Sequence, residues 1–169
     1  RTVTVLNGNR VTVDAPVFYT LDRALSESYV YVHDRADLVT NVGVEQLRID
    51  IQPGSGLEDH AWIGVQFVQV EDAWARDVAV VGYGGSAFRT RTATRVTITE
   101  SQALDPLAQI AGERMYGFNL DVASQHVLVR DNYASNGRHH YATVGGALTS
   151  GNVFLDNRSD GALSASEPH

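Results

Sequence analysis

The chain has no cysteine, no lysine and a single methionine. Without cysteine it can form neither a disulfide framework nor a thiolate metal site, and the compartment stays open because a solenoid with a continuous core needs no covalent staples. All thirteen basic residues are arginine. Codon usage of the source explains that bias, and so does the value of a planar, bidentate partner for carboxylates. No apolar run approaches the roughly 18 residues that span a bilayer, so we expect no membrane partner. The net charge of -7 supplies no basic face for phosphate, so we expect no nucleic acid either. Strong 3.6-residue periodicity is missing as well. The best helical stretch, Leu104 to Ala111, is short and interrupted by Pro106.

What is present is enough to fold: 169 residues, 43% of them apolar. Short runs alternate apolar and polar positions, in Leu47 to Ile51, Val78 to Val80, Val96 to Thr99, Val127 to Arg130 and Val153 to Asp156. Each buries every second side chain of a strand. Polar turns close them in equivalent places, at Thr99-Glu100-Ser101, Arg130-Asp131-Asn132 and Asp156-Asn157-Arg158. A second series lies between, in Gly64 to Phe67, Ala87 to Thr90, Gly117 to Leu120 and His140 to Thr143, with starts about 23 to 30 residues apart.

A period in the twenties with two or three short strands per repeat predicts an all-β solenoid, a parallel β-helix, because propeller blades run to about 40 residues and four strands. An antiparallel sandwich is the alternative. Its hairpins call for Asn-Gly or Asp-Gly turns, which Asn7-Gly8 supplies between Thr2 to Leu6 and Val11 to Val13. Asn136-Gly137 and Asp160-Gly161 sit instead in longer loops. We expect one domain over 1–169, with 1–38 an irregular lead-in or cap holding Phe18, Tyr19, Tyr29 and Tyr31, and 39–169 the regular coils. The chain opens on Arg1 without methionine and closes on Glu167-Pro168-His169, from which we expect a piece of a longer protein and an incomplete run of about four coils.

From about Val39 onward the coils resemble the pectate-lyase-like superfamily of right-handed parallel β-helices. More specifically, Gly137-Arg138-His139, then Gly151 to Asp156, then Pro168-His169 resembles a run in secreted bacterial β-helix proteins, where His-Arg-Trp follows the Pro-His. The sequence departs from that pattern by ending at His169. The resemblance implies a right-handed coil and action on polysaccharide outside the cytoplasm, with no reaction specified.

The densest group of chemically able side chains is Asn136-Gly137-Arg138-His139-His140-Tyr141. Strict alternation puts Arg138 and His140 on one face and His139 and Tyr141 on the other. Steps of 24 and 29 residues stack Arg114, Arg138 and Glu167 in one ladder and Tyr116, His140 and His169 in another. Stacked coils lie about 4.8 Å apart, so paired arginines suit a uronate carboxylate, or Glu167 itself, between them. For a lyase, which needs that carboxylate neutralised together with a base and an acid, the candidates are His140, Arg138, His139, Tyr116 and His169, with Arg114, Tyr141, Glu167 and Asp121 binding substrate. A hydrolase needs two carboxylates about 5 to 10 Å apart, for which Asp121, Glu113 and Glu167 are nearest. Each has a plain alternative: surface histidines in a turn, or Arg114 paired with Glu113 or Asp121.

His33, His60 and His126 stand alone in polar turns and are read as surface residues, and Asn132, Asn152 and Asn157 as ladder asparagines that satisfy coil backbone. Calcium could be held by Glu58-Asp59-His60 or Glu71-Asp72, although neither spacing is diagnostic. Gly82 to Ser86 is glycine-rich but has no helix after it, which argues against a phosphate loop. Three functions therefore compete: a polysaccharide lyase or glycoside hydrolase acting on an acidic glycan, a non-catalytic adhesive or structural coil, and a sugar-binding module with platforms at Trp62, Trp74 and Tyr83.

Overall fold

In a computed structural model of the chain, residues 2–25, 34, 36–145 and 149–163 are described. The chain divides into two compact units, Arg1–Asp34 and Arg35–His169. In the first, β1 (Val3–Asn7) and β2 (Arg10–Val13) pair antiparallel, and Gly8 takes the left-handed conformation (φ 57°) that the tight turn demands. This is the hairpin expected from Asn7-Gly8. Tyr29, Tyr31 and His33 lie outside the described residues.

The second unit is all parallel strands, and no helix occurs among its described residues. One sheet stacks β5 (Ile63–Val68), β7 (Ser86–Arg91), β10 (Tyr116–Leu120) and β13 (His139–Thr143). The other has nine strands. Its middle is β6 (Val70–Val81), which pairs on one side with β3 (Val39–Thr40) and β4 (Gly43–Asp50). On its other side β6 pairs with β8 (Thr94–Thr99) and β9 (Gln102–Leu104), followed by β11 (Leu128–Arg130) and β12 (Tyr133–Ser135), then β14 (Val153–Leu155) and β15 (Arg158–Asp160). Every circuit of the chain therefore lays one strand on the four-stranded sheet and a bent pair on the other. Ile63 pairs with Ser86, Ser86 with Tyr116 and Tyr116 with His139, steps of 23, 30 and 23 residues. Such pairing excludes the antiparallel sandwich for this unit.

The bend within the large sheet is made by Gln46, Asp77, Glu100, Asp131 and Asp156, each in the left-handed region at φ 51–55°. Aspartate tolerates that region better than most residues, which is why the expected polar turns recur there. The next residue inward forms a second column. Ser101 Oγ accepts the Val78 N–H, Asn132 Oδ1 accepts the Ser101 N–H, and Asn157 Oδ1 accepts the Asn132 N–H. Asn132 Nδ2 donates to the Ile98 carbonyl, and Asn157 Nδ2 to that of Val129. Asn152 does the same at another corner, between the Val127 N–H and the Ser124 carbonyl. The asparagines are ladder residues, as expected, because a bent strand leaves backbone groups that water cannot reach.

Between the sheets the core is built of columns, one residue per circuit. Ala75, Ile98 and Val129 form one, Val80, Ala103 and Ala134 another, all fully buried. Phe88, Phe118 and Tyr141 stack with centroids 4.9 and 5.1 Å apart and rings within 6° of parallel. The strand spacing of about 4.8 Å sets that offset, and each aromatic pair adds about 0.5–1.5 kcal/mol beyond its burial.

Candidate functional site

Alternation along the four-stranded sheet is broken at the same step in every strand. Gly117 and Phe118 both face the core: a Cβ on Gly117 would meet that of Ala134 at 3.3 Å, and Phe118 lies in the ring stack. Ala87 and Phe88 are likewise both fully buried, and so, in β13, His140 and Tyr141 both turn inward. Because all strands share the irregularity, their register is the same on either side of it. Tyr116, Asn119 and Asp121 are left on the outer face with Ser86, Arg89, Arg91 and His139.

That placement corrects two expectations. Tyr116 stands beside His139, not His140, with rings stacked at 5.2 Å, and Met115 rather than Arg114 lies level with Arg138, whose N–H donates to the Met115 carbonyl. The expected 24-residue step is therefore out by one residue in both ladders, since the chain takes 23. His140 Nε2 accepts the Gly137 N–H at 3.0 Å, and burial pulls the imidazole pKa below its ordinary value. Tyr141 donates its hydroxyl to the Arg158 carbonyl at 2.8 Å, with the Asn132 carbonyl at 3.1 Å, and burial drives its phenol pKa upward. Glu167 and His169 lie outside the described residues.

The outer face is sheltered. Asn119, Asp121 and Ser86 are only 3–5% exposed. Asn119 Nδ2 donates to Ser86 Oγ, and the Arg89 guanidinium closes on Asp121, with Arg91 3.9 Å from the same carboxylate. The loop after β13 laps over Asp121, since a Cβ on Gly145 would fall 2.3 Å from its Oδ1. Arg138 is half-buried, and its Nη1 has no hydrogen-bond partner among the described residues, nor has Asn119 Oδ1. Sequence reasoning named Asp121 but missed Ser86, Arg89 and Asn119. One signal was legible: Gln66, Arg89 and Asn119 occupy the same rung of three successive strands.

Two long loops, 52–62 and 105–115, belong to alternate circuits and meet over the short turn 82–85 between them. Glu58 accepts the Gln109 N–H at 3.0 Å and Arg114 Nε at 3.2 Å, and these two donors, the backbone one first, hold its carboxyl below the ordinary range. Arg114 also lies 5.3 Å from the Trp62 ring, so it is a loop clasp rather than a neighbour of Arg138. His60, expected to be an idle surface residue, sets Nε2 against the Leu107 carbonyl and Nδ1 3.0 Å from that of Ala61. The glycines of the turn are explained here: a Cβ on Gly85 would lie 2.3 Å from Trp62 Nε1, and one on Gly84 2.6 Å from His60 Cε1.

The carboxylates considered for calcium are engaged elsewhere. Asp59 binds Ser55, Glu58 binds Arg114, and Glu71 and Asp72 both bind Arg95. No group of three metal-ligating side chains occurs among the described residues. Tyr83 is fully buried and so offers no sugar platform.

No protein-family model and no curated protein matches the sequence. Among solved structures, the chain is similar to a "putative glycosyl hydrolase" from Parabacteroides merdae, with a TM-score of 0.55 and 12% identity over 71% of this chain. It spans 58% of that protein's chain. A likeness at such identity concerns the fold.

Proposed function

We propose that the Arg35–His169 unit is a right-handed parallel β-helix that acts on an acidic polysaccharide outside the cytoplasm, as a lyase in preference to a hydrolase. Circuits of 23 to 31 residues, paired in parallel and turned at in-register left-handed corners, support the coil. The observation that carries the activity is the sheltered outer face of the four-stranded sheet, where Tyr116 and His139 stack on one rung and Asn119 and the Arg89–Asp121 pair follow along the same strands.

Those side chains suit β-elimination. A base takes the proton α to the uronate carboxylate, the freed electron pair forms the C4–C5 double bond, and the C4–O bond breaks as its oxygen takes a proton. His139 and Tyr116 are the proton-transferring pair, and Arg138, the residue before His139, is the candidate to neutralise the carboxylate. Hydrolysis is less well served. None of the four strands carries a carboxylate, and Asp121, directly after β10, is already held by Arg89.

A non-catalytic structural coil is favoured by one fact, that Ser86, Asn119, Arg89 and Asp121 already satisfy much of one another's polarity. A glycan panel followed both by unsaturated-uronate absorbance and by new reducing ends separates the readings. We expect absorbance on a polyuronate, reduced about 100-fold or more by His139→Ala and by Tyr116→Phe. Full activity in both folded variants removes the site from this face, and silence across the panel leaves the structural coil.

A further inference from the structure

The nine-stranded sheet carries a separate feature on its outer surface. Trp74 of β6 stands between Gly43 of β4 and Thr97 of β8. Its indole leans over the glycine: a Cβ built on Gly43 would lie 2.1, 2.3 and 2.5 Å from Cε2, Nε1 and Cδ2. Near-equal distances to three fused ring atoms mean that the ring lies face down on the strand. Any side chain at Gly43 would lift it. The ring is fixed in its plane as well, because Nε1 donates to Glu45 Oε1 at 2.6 Å. The other oxygen of Glu45 binds Arg76 Nη2 at 2.8 Å, and Arg76 followed by Trp74 holds the Glu45 carboxyl below its ordinary range.

With the indole drawn toward Gly43, a depression of about 320 Å³ opens beside it, lined by Trp74, Glu45, Arg76, Thr97 and Thr99. Small-molecule sites span roughly 300–1,000 Å³, so this one has room for a sugar unit or two. Its chemistry differs from that of the four-stranded face. Glu45 and Arg76 neutralise each other, leaving a flat aromatic surface, two threonine hydroxyls and no uncompensated charge. A pyranose matches that set, its C–H face against the indole and its hydroxyls toward Thr97, Thr99 and the outer atoms of the ion pair. A uronate gains nothing there.

We infer that Trp74, Glu45, Arg76, Thr97 and Thr99 form a second, non-catalytic subsite for a neutral glycan, on a different sheet from the proposed reaction. It rests on the carbohydrate reading for its ligand class and shares no residue with that site.

The test titrates the full chain with cello-, xylo-, manno- and maltohexaose, following tryptophan fluorescence and heat, with oligogalacturonate as the charged comparison. At least one neutral hexasaccharide binds and shifts the emission, and Trp74→Ala weakens it about ten-fold or more. Glu45→Gln, which loosens the ring without removing it, costs about three-fold. Should Trp74→Ala unfold, Thr97→Arg fills the depression and gives the same loss. Absence of any neutral binding up to about 10 mM overturns the inference, as does equal affinity in the folded Trp74 or Thr97 variants. Turnover of an acidic glycan is untouched by Trp74→Ala. If turnover is absent while Trp74-dependent binding persists, the catalytic reading fails and the subsite stands.

Discussion

The outer face of the four-stranded sheet and the inner corner of the nine-stranded sheet both bury polar side chains, and they satisfy them differently. At the corner, Ser101, Asn132 and Asn157 bond to backbone groups of neighbouring circuits, and the pattern returns with each turn of the chain. On the outer face, Ser86, Asn119, Arg89 and Asp121 bond side chain to side chain, once only, and Asn119 Oδ1 has no partner among the described residues. Polar burial that keeps the coil period is architecture. On the outer face it breaks that period and leaves bonding capacity unused.

Asn132→Val attacks the first region and has the largest expected effect on stability. It strands the Ser101 N–H and the Ile98 carbonyl, at about 1–3 kcal/mol each, so urea unfolding shows a loss of about 4 kcal/mol. A loss under about 1 kcal/mol means that water reaches the corner and the ladder is not what holds it. Arg89→Met attacks the second. Asp121, with a side chain 7% exposed, keeps the Val122 N–H at 2.7 Å and Arg91 at 3.9 Å but loses its close cation, and stability falls by about 2–3 kcal/mol. Adding Asp121→Asn to that variant recovers part of the loss, and a strictly additive double-mutant cycle would show the pair to be uncoupled.

A pH titration sharpens the boundary between the regions at His140, which is neutral in the fold because its Nε2 accepts a backbone N–H. Its folded pKa lies below the ordinary 6.5, so in that window the unfolded chain binds more protons. Stability from His140 is therefore full above pH 6.5 and drains away as pH falls toward the folded value. His140→Gln flattens that acid limb of the curve; an unchanged limb assigns it to other groups. The smallest effect is expected of Tyr83→Phe. The Tyr83 hydroxyl is buried with no hydrogen-bond partner among the described residues, so its removal is neutral or raises stability by up to about 1 kcal/mol in thermal unfolding. A clear drop would reveal a water bound to it.

The strands of both main series were legible because their runs place apolar residues at alternate positions, and Asn7-Gly8 announced its hairpin. Strands β9, β12 and β15 were not, since Gln102-Ala103-Leu104, Tyr133-Ala134-Ser135 and Arg158-Ser159-Asp160 show no aliphatic residues two apart. The site was half legible. Asp121, Tyr116 and His139 were named from the sequence and do lie on the outer face. His140, Tyr141 and Arg114 were named with them and serve elsewhere, because two consecutive inward residues are invisible to a rule that alternates faces. Arg89 looked like any polar strand position until its rung partners were known. The clasp of Glu58 and Arg114, residues 56 apart in the chain, has no local signature at all.

That clasp changes how the stacked parallel circuits should come apart. Where each circuit touches only its two neighbours, melting from an end passes down one circuit at a time. Glu58, His60 and Trp62 reach past the 82–85 turn to the loop two circuits on. This second-neighbour link ties three circuits into one cooperative block, and the proposed reaction face lies along the strands that block begins.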